Sequence, residues 1–183
     1  MVLRMRYEEY PFPFLSEEKI KILAERKSLF PQMGIKEGKT VVDFGCGPGT
    51  FTIPIARAVG KEGIVYAVDK NEKSLSDLKK MAEEEGLDSI KIIKVQDEGK
   101  LPLSPASADV FLLFDVLHHL DWGKIFLEVK RITKPNGKIC VYPHHHLNRE
   151  KLVEELATYE LRLEKILIGS VYVFVVDDGK GKR

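Results

Sequence analysis

The chain has 183 residues, which is enough to bury a hydrophobic core and fits one compact domain. With 29 basic and 28 acidic residues it carries a net charge of +1, so composition gives no sign of a nucleic-acid-binding surface. Its two cysteines, Cys46 and Cys140, lie too far apart for a zinc motif or a disulfide framework, and no apolar run approaches the roughly 18 residues of a membrane span.

The N-terminus lacks the apolar region and cleavage site of a signal peptide, so we expect a cytoplasmic protein. Only two Gln and three Asn stand against abundant Glu and Lys. That bias is typical of proteins from hot habitats and predicts a thermophilic source.

Short β-rich runs alternate with helical patterns along the chain, which is typical of an α/β domain with a largely parallel sheet. Residues 1–30 form an N-terminal segment with a predicted helix over Glu17–Ser28. The aromatic residues before that helix, Tyr10 among them, make the segment a candidate lid, and plain core packing is the alternative. We expect the main domain to cover 31–177 and the tail 178–183 to be disordered.

Five strands and four helices are predicted within the domain, and the apolar stretch 161–176 adds two more strands joined near Gly169–Ser170 as a hairpin. The first five strands are predicted over 40–43, 63–68, 89–95, 110–114 and 138–142, and the helices over 51–59, 73–85, 122–133 and 149–159.

A glycine-rich loop follows the first predicted strand and precedes a helix. Ligands of an open parallel sheet bind beyond the carboxyl ends of its strands, where the strand order reverses. Gly45, Gly47 and Gly49 allow close backbone approach and positive φ angles there. Their G-x-G-x-G spacing differs from the dinucleotide fingerprint G-x-G-x-x-G, and the phosphate-loop pattern is absent. The loop predicts a ligand site, with a ligand-free turn as the alternative.

The loop sequence "VVDFGCGPGTFT" resembles the first motif of the class I S-adenosylmethionine (SAM)-dependent methyltransferases. The resemblance continues in order through "VYAVDK", "KVQDEGKLPL", "ADVFLLFDVLHHL" and "FLEVKRITKPNGKICV", and covers about residues 33–142. It is strongest to the small-molecule branch that includes ubiquinone and menaquinone C-methyltransferases. It implies a single doubly wound, Rossmann-like α/β domain with a mostly parallel seven-stranded sheet, a C-terminal antiparallel hairpin and helices on both faces.

The resemblance also implies a cofactor site for SAM built from acids at strand ends. Asp43 would hold the methionine ammonium, directly or through water, and an acid that organises the turn is the alternative. Asp69 would accept both ribose hydroxyls, unless it caps the next helix, a role for which Asn71 competes. Asp97 would accept the adenine amino group, with an exposed acid that has no role as the alternative.

Other implied cofactor contacts are less direct. Lys70 would flank the adenine with its aliphatic stem, and the backbone N–H of Glu98 would meet a ring nitrogen. Backbone groups near the ammonium and the glycine loop complete the implied cofactor-binding set, which adds Gly45, Cys46, Gly47, Gly49, Leu113 and Phe114.

Two histidine runs are candidates for chemistry. For His118 and His119 we favour structural packing beneath the cofactor over a catalytic base. The run "PHHH" follows the fifth strand and is a solvent-facing loop, an acceptor-pocket lining or a metal site. Because side chains alternate along an extended segment, we expect His144 and His146 to share a face opposite His145, and no metal to be bound. His144, His146 and Tyr10 are therefore the candidate substrate-binding residues.

The implied reaction is methyl transfer from SAM to a small-molecule or partner-presented acceptor by in-line displacement. Positioning alone can carry such a reaction, so no residue is assigned a catalytic role. A non-catalytic SAM-binding module or partner subunit is the alternative, and the glycine spacing disfavours an NAD-dependent oxidoreductase. The acceptor, the methylated atom and the oligomeric state stay open.

Overall fold

The computed structural model describes residues 15–168 and 170–177, and all structural statements concern these. Six α-helices and one short 3-10 helix alternate with seven strands in this part of the chain. The helices are α1 (Glu17–Ala24), α2 (Arg26–Gln32), α3 (Thr52–Val59), α4 (Glu72–Glu84), the 3-10 helix Leu117–His119, α5 (Trp122–Ile132) and α6 (Arg149–Thr158). The strands are β1 (Thr40–Phe44), β2 (Ile64–Asp69), β3 (Ile90–Lys94), β4 (Ala108–Phe114), β5 (Thr133–Tyr142), β6 (Leu161–Leu167) and β7 (Val171–Val176).

All seven strands form one sheet in the order β3-β2-β1-β4-β5-β7-β6. The pairs from β3 to β5 are parallel, whereas β7 runs antiparallel to both β5 and β6. The predicted fold, with its C-terminal hairpin, is confirmed. The strand order reverses between β1 and β4, so the carboxyl ends of these two strands and of β2 open onto the same edge.

Side chains of the central strands alternate between two apolar layers, as a sheet covered on both faces requires. Val41 of β1 packs in the layer with α1, α2 and α3, and its neighbour Val42 packs in the layer with α5 and α6. A third cluster joins α4 to Ala67 of β2 and to Cys46 of the glycine loop. The loop therefore rests on a rigid core.

The predicted helix over Glu17–Ser28 is wrong in its extent, because the chain forms two helices that break at Glu25. The buried pairs Ile22–Leu23 and Leu29–Phe30 lie seven residues apart. One continuous helix would satisfy that spacing as well, so the apolar period does not reveal the break. Both pairs pack in the core, so α1 and α2 are part of the domain's packing.

The boundaries of several helices and of β5 have local causes in the structure. Ser16, Asn71, Asp121 and Asn148 each cap a helix by accepting a backbone hydrogen bond with the side chain. β5 begins five residues before its predicted start at 138, because Thr133 already pairs with Ala108 ahead of a register shift.

Two predicted segments lie outside the described residues: 1–14, which includes Tyr10, and the tail 178–183. The lid and tail assignments stay predictions. In the described part of the chain, no helix has the length and apolar character needed to cross a bilayer.

Candidate functional site

A cavity of about 380 Å³ opens at the carboxyl edge of the sheet, where the strand order reverses. Its size falls within the roughly 300–1,000 Å³ typical of small-molecule sites. Residues that follow β1, β2, β3 and β4 line it, among them Gly45, Asp69, Lys70, Glu98, Asp115 and His119.

The three glycines of the loop meet different constraints. All have positive φ, at 76° for Gly45, 52° for Gly47 and 99° for Gly49. A Cβ at Gly45 would lie 2.5 Å from a methyl of Val116, and one at Gly49 would lie 2.5 Å from a methyl of Leu78. A Cβ at Gly47 would meet nothing within 4 Å among the described residues beyond its chain neighbours. Gly45 and Gly49 thus allow close packing of the protein itself, whereas Gly47 has room beside it in this part of the chain.

The end of β2 holds the loop through its backbone and through Asp69. The N–H groups of Gly45 and Cys46 both donate to the carbonyl of Val68, at 2.8 and 3.1 Å. The Asp69 carboxylate accepts from the N–H of Gly47 and from the N–H of Asn71, each at 2.8 Å. Asn71 caps α4 by accepting from Ser74, so the alternative that Asp69 is the helix cap is excluded. Two bonds fix the carboxylate, and its remaining lone pairs can accept further donors.

Asp43 is buried at the end of β1 and contacts the helix that follows the loop. Its carboxylate accepts a 2.6 Å hydrogen bond from the hydroxyl of Thr52, and only 2% of the residue is exposed. Burial raises the pKa of Asp43 to about 6, the negative charge of Asp69 adds to this, and the Thr52 bond opposes it. This contact supports the turn-organising alternative, and Asp43 does not line the cavity.

The side chain of Cys46 does not line the cavity, and its thiol donates to the carbonyl of Gly47 at 3.5 Å. Its side chain is buried against α4, and burial raises the pKa of the thiol far above its usual range. Leu113 and Phe114 are likewise buried, so only their backbone groups are available for the predicted ammonium contact.

The loop after β3 carries Asp97 and Glu98, whose predicted contacts with the adenine stay predictions. Asp97 is exposed, accepts from the N–H of Gly99 at 2.9 Å and lies 3.7 Å from the ammonium of Lys124. It does not line the cavity, whereas Glu98 and Gln96 do. Glu98 also accepts from the N–H of Asp121, at 3.1 Å, and so ties this loop to the start of α5.

Asp115 is the site residue that the sequence reasoning missed. It follows β4, has a φ of 55° and lines the cavity. Its Oδ2 atom pairs with the ammonium of Lys19 in α1. An acid directly after a central strand is the same signal that singled out Asp69, so the sequence contained it.

All five histidines of the chain lie together at this edge. His118 and His119 are both exposed, whereas Leu117 is buried, and their packing beneath the cofactor stays a prediction. His119 lines the cavity, and the ring of His118 lies 4.4 Å from that of His144. Burial and the nearby imidazoles of His119 and His144 lower the pKa of His118.

The alternation expected for His144, His145 and His146 is wrong. The N–H of Leu147 donates to the carbonyl of His144 at 2.9 Å, so the run forms a turn and is not extended. The ligand atoms of the three rings all lie within 4.8 Å of one another.

Residues 35–171 match the family described as a methyltransferase domain. The chain belongs to this family. The resemblance predicted from the motifs is confirmed at the level of the family.

Relatives of this chain include a demethylmenaquinone methyltransferase of Geobacillus stearothermophilus, 34% identical over 118 residues. That match covers 63% of the chain and 50% of the relative, so the chain spans about half the length of the curated relative. A SAM-dependent methyltransferase from Aquifex aeolicus superposes with a TM-score of 0.73 at 25% identity, over 89% of this chain and all of the other. The cyclase SpnF shares the fold with a TM-score of 0.67 at 19% identity, over 78% of this chain and 58% of that one.

The cavity fits the chemistry of SAM, which carries an adenine, a ribose, an ammonium, a carboxylate and a positive sulfur. Its net charge is therefore positive, and it has no phosphate. Among the described residues that line it, the carboxylates of Asp69, Glu98 and Asp115 outnumber the single ammonium of Lys70. Such a lining attracts a cation and disfavours the diphosphate of a dinucleotide.

Proposed function

We propose that the protein binds SAM in the cavity at the carboxyl edge of the sheet and transfers its methyl group to a small-molecule acceptor. The observation that carries this proposal is an acid-lined cavity beside a glycine loop in a member of the methyltransferase family. When bound, SAM supplies a methyl group already activated by its positively charged sulfur.

Asp69 is the residue best prepared to bind the ribose. The N–H groups of Gly47 and Asn71 hold its carboxylate, so little freedom is lost when it accepts two hydroxyls. Lys70 lies beside it and offers its stem to the adenine. The main contribution of these residues to the reaction is to orient the cofactor toward the open side of the cavity.

The acceptor is proposed to be a small molecule, free or presented by a partner. The name of the Geobacillus relative gives demethylmenaquinone as one acceptor of that class. Because the chain spans half of that relative, we extend only the class to this protein. Cytoplasmic location stays a prediction of the sequence, and origin in a hot habitat stays a prediction from composition.

A SAM-binding module without transferase activity is the second candidate. It is favoured by the likeness of the fold to a cyclase, since one fold hosts unrelated activities. An NAD-dependent oxidoreductase is less well supported, because both the glycine spacing and the acidic lining disfavour its cofactor.

Transfer of a labelled methyl group separates the two candidates. The full chain is incubated with SAM labelled in the methyl group and with small-molecule fractions of cell extract. We expect label to enter at least one fraction, and to be lost from it when the Asp69→Ala variant replaces the protein. Tight SAM binding without label in any small-molecule or protein fraction would support the non-catalytic module.

Asp69→Ala is expected to weaken SAM binding by about 1–3 kcal/mol, the usual cost of leaving hydrogen-bonding groups unpaired. The fold should survive, because Asp69 lies at the open end of β2 and is only half-buried. Calorimetry measures the loss.

Asp88→Ala is the matched control, since Asp88 is an exposed acid just before β3, at the opposite edge of the sheet. Equal affinities of the Asp69 and Asp88 variants for SAM would place the ribose elsewhere.

A further inference from the structure

Two of the five clustered histidines lie against a carboxylate outside the glycine loop. Asp115 follows β4, His118 lies in the 3-10 helix after it, and His144 follows β5. One oxygen of Asp115 and one nitrogen of each ring all lie within 4.8 Å of one another. The topology brings these groups together, because β4 and β5 are parallel neighbours whose carboxyl ends meet.

We propose that Asp115, His118 and His144 form a binding site for a divalent transition-metal ion. Imidazole nitrogen and carboxylate oxygen are the donors that Zn²⁺, Co²⁺ and Ni²⁺ accept. Ligands about 2.1 Å from one ion are at most about 4.2 Å apart, so side-chain shifts of less than about 1 Å close the site. The proposal replaces the sequence-based expectation that no metal is bound, which rested on an extended His144–His146 segment.

Asp115 can serve as a ligand although it already has a partner. Lys19 pairs with its Oδ2 atom, and no hydrogen bond to Oδ1 comes from any residue within the described ranges. The side chain of Asp115 is 24% exposed, so an ion can reach it from solvent.

The run His144–His146 is the competing site, because its three rings meet the same distance criterion. Its ligands would be three imidazole rings from consecutive residues of one turn, with no carboxylate among them. The proposed set adds a carboxylate, whose negative charge strengthens the binding of a divalent cation. His144 belongs to both sets, so the variants that distinguish them are those of His118, Asp115 and His146.

An ion with three protein ligands keeps a position open for a further donor atom. Asp115 also lines the SAM cavity, so a small molecule that binds there with an oxygen or nitrogen donor would reach the ion. This consequence, unlike the metal site itself, rests on the proposed function.

Titration of the full chain with Co²⁺, followed by visible absorption, tests the site without SAM or an acceptor. We expect one ion per chain, displaced by Zn²⁺. His118→Ala, His144→Ala and Asp115→Asn should each weaken Co²⁺ binding by about tenfold or more. His146→Ala is the matched control and should change the affinity by less than about twofold.

His118 and His146 are both exposed, so neither variant should unfold, and far-ultraviolet circular dichroism checks this. Absence of Co²⁺ binding to the folded wild-type chain would overturn the proposal. So would a loss in His146→Ala as large as in His144→Ala with none in His118→Ala, because that result assigns the ion to the histidine run. Neither outcome bears on methyl transfer, which the labelling experiment tests separately.

Discussion

Replacing Asp43 with Asn is expected to stabilise the cofactor-free protein at neutral pH and to weaken SAM binding. Asn can still accept the hydrogen bond from Thr52, but it carries no buried charge. The pKa of Asp43 is raised from 3.8 to about 6, so the folded state favours the protonated form. A shift of this size corresponds to about 3 kcal/mol once the group is ionised in both states.

The sign of this effect fixes its pH dependence. Between about pH 4 and pH 6 the folded chain binds more protons at Asp43 than the unfolded chain, so the contribution of Asp43 to the wild-type free energy of unfolding falls as pH rises. Asp43→Asn lacks this contribution. Its advantage should therefore grow by about 3 kcal/mol over that window and stay constant above it. Urea unfolding of both proteins from pH 4 to pH 7.5 measures the difference.

The same variant should bind SAM about tenfold more weakly, because the charge that destabilises the free protein attracts the ammonium of the ligand. Calorimetry at pH 7.5 measures this loss. If Asp43→Asn had the same pH dependence of stability as the wild type, folding would not raise the pKa of Asp43. Unchanged affinity would leave Asp43 as a residue that only organises the turn.

Gly45→Ala is expected mainly to lose stability and Gly47→Ala mainly to lose affinity for SAM, although both glycines have positive φ. At Gly45 the new methyl group would lie 2.5 Å from Val116, and the strain of the positive φ adds to this clash. We expect a loss of about 2–5 kcal/mol in the free energy of unfolding. At Gly47 no atom of residues 15–168 or 170–177, apart from the chain neighbours, lies within 4 Å of the new methyl group, so the loss should be about 1–2 kcal/mol.

The binding of SAM should rank the two variants in the opposite order. The open space at Gly47 adjoins the N–H that donates to Asp69, so a methyl group there should obstruct the cofactor. In Gly47→Ala the loss of binding free energy for SAM should exceed the loss in the free energy of unfolding. The difference should be larger in Gly47→Val. A Gly47 variant that melts far below the wild type and yet binds SAM normally when folded would mean that this glycine serves only the turn.

Much of the site was predictable because its residues follow strands. The glycine loop, Asp69 and Lys70 come directly after β1 and β2, and parallel strands must bring their carboxyl ends to one edge. Asp115 follows β4 in the same way, so the same rule applies to it, although the predicted site did not include it.

Other features depend on contacts that a linear pattern does not contain. Asp97 turns away from the cavity because the N–H of Gly99 offers a local bond, and Glu98 faces inward in its place. The turn at His144 is closed by one backbone hydrogen bond, from the N–H of Leu147 to the carbonyl of His144. The pattern of side chains along the sequence does not predict this bond.

The central claim is that the acid-lined cavity beside the glycine loop binds SAM, and titration calorimetry of the full chain with SAM and with NAD tests it most directly. The account predicts one SAM per chain and binding of NAD that is weaker by about a hundredfold or more, a difference of about 2.7 kcal/mol. Tighter binding of NAD than of SAM would contradict it. So would a titration in which SAM gives no heat of binding and S-adenosylhomocysteine does not compete with SAM for the site.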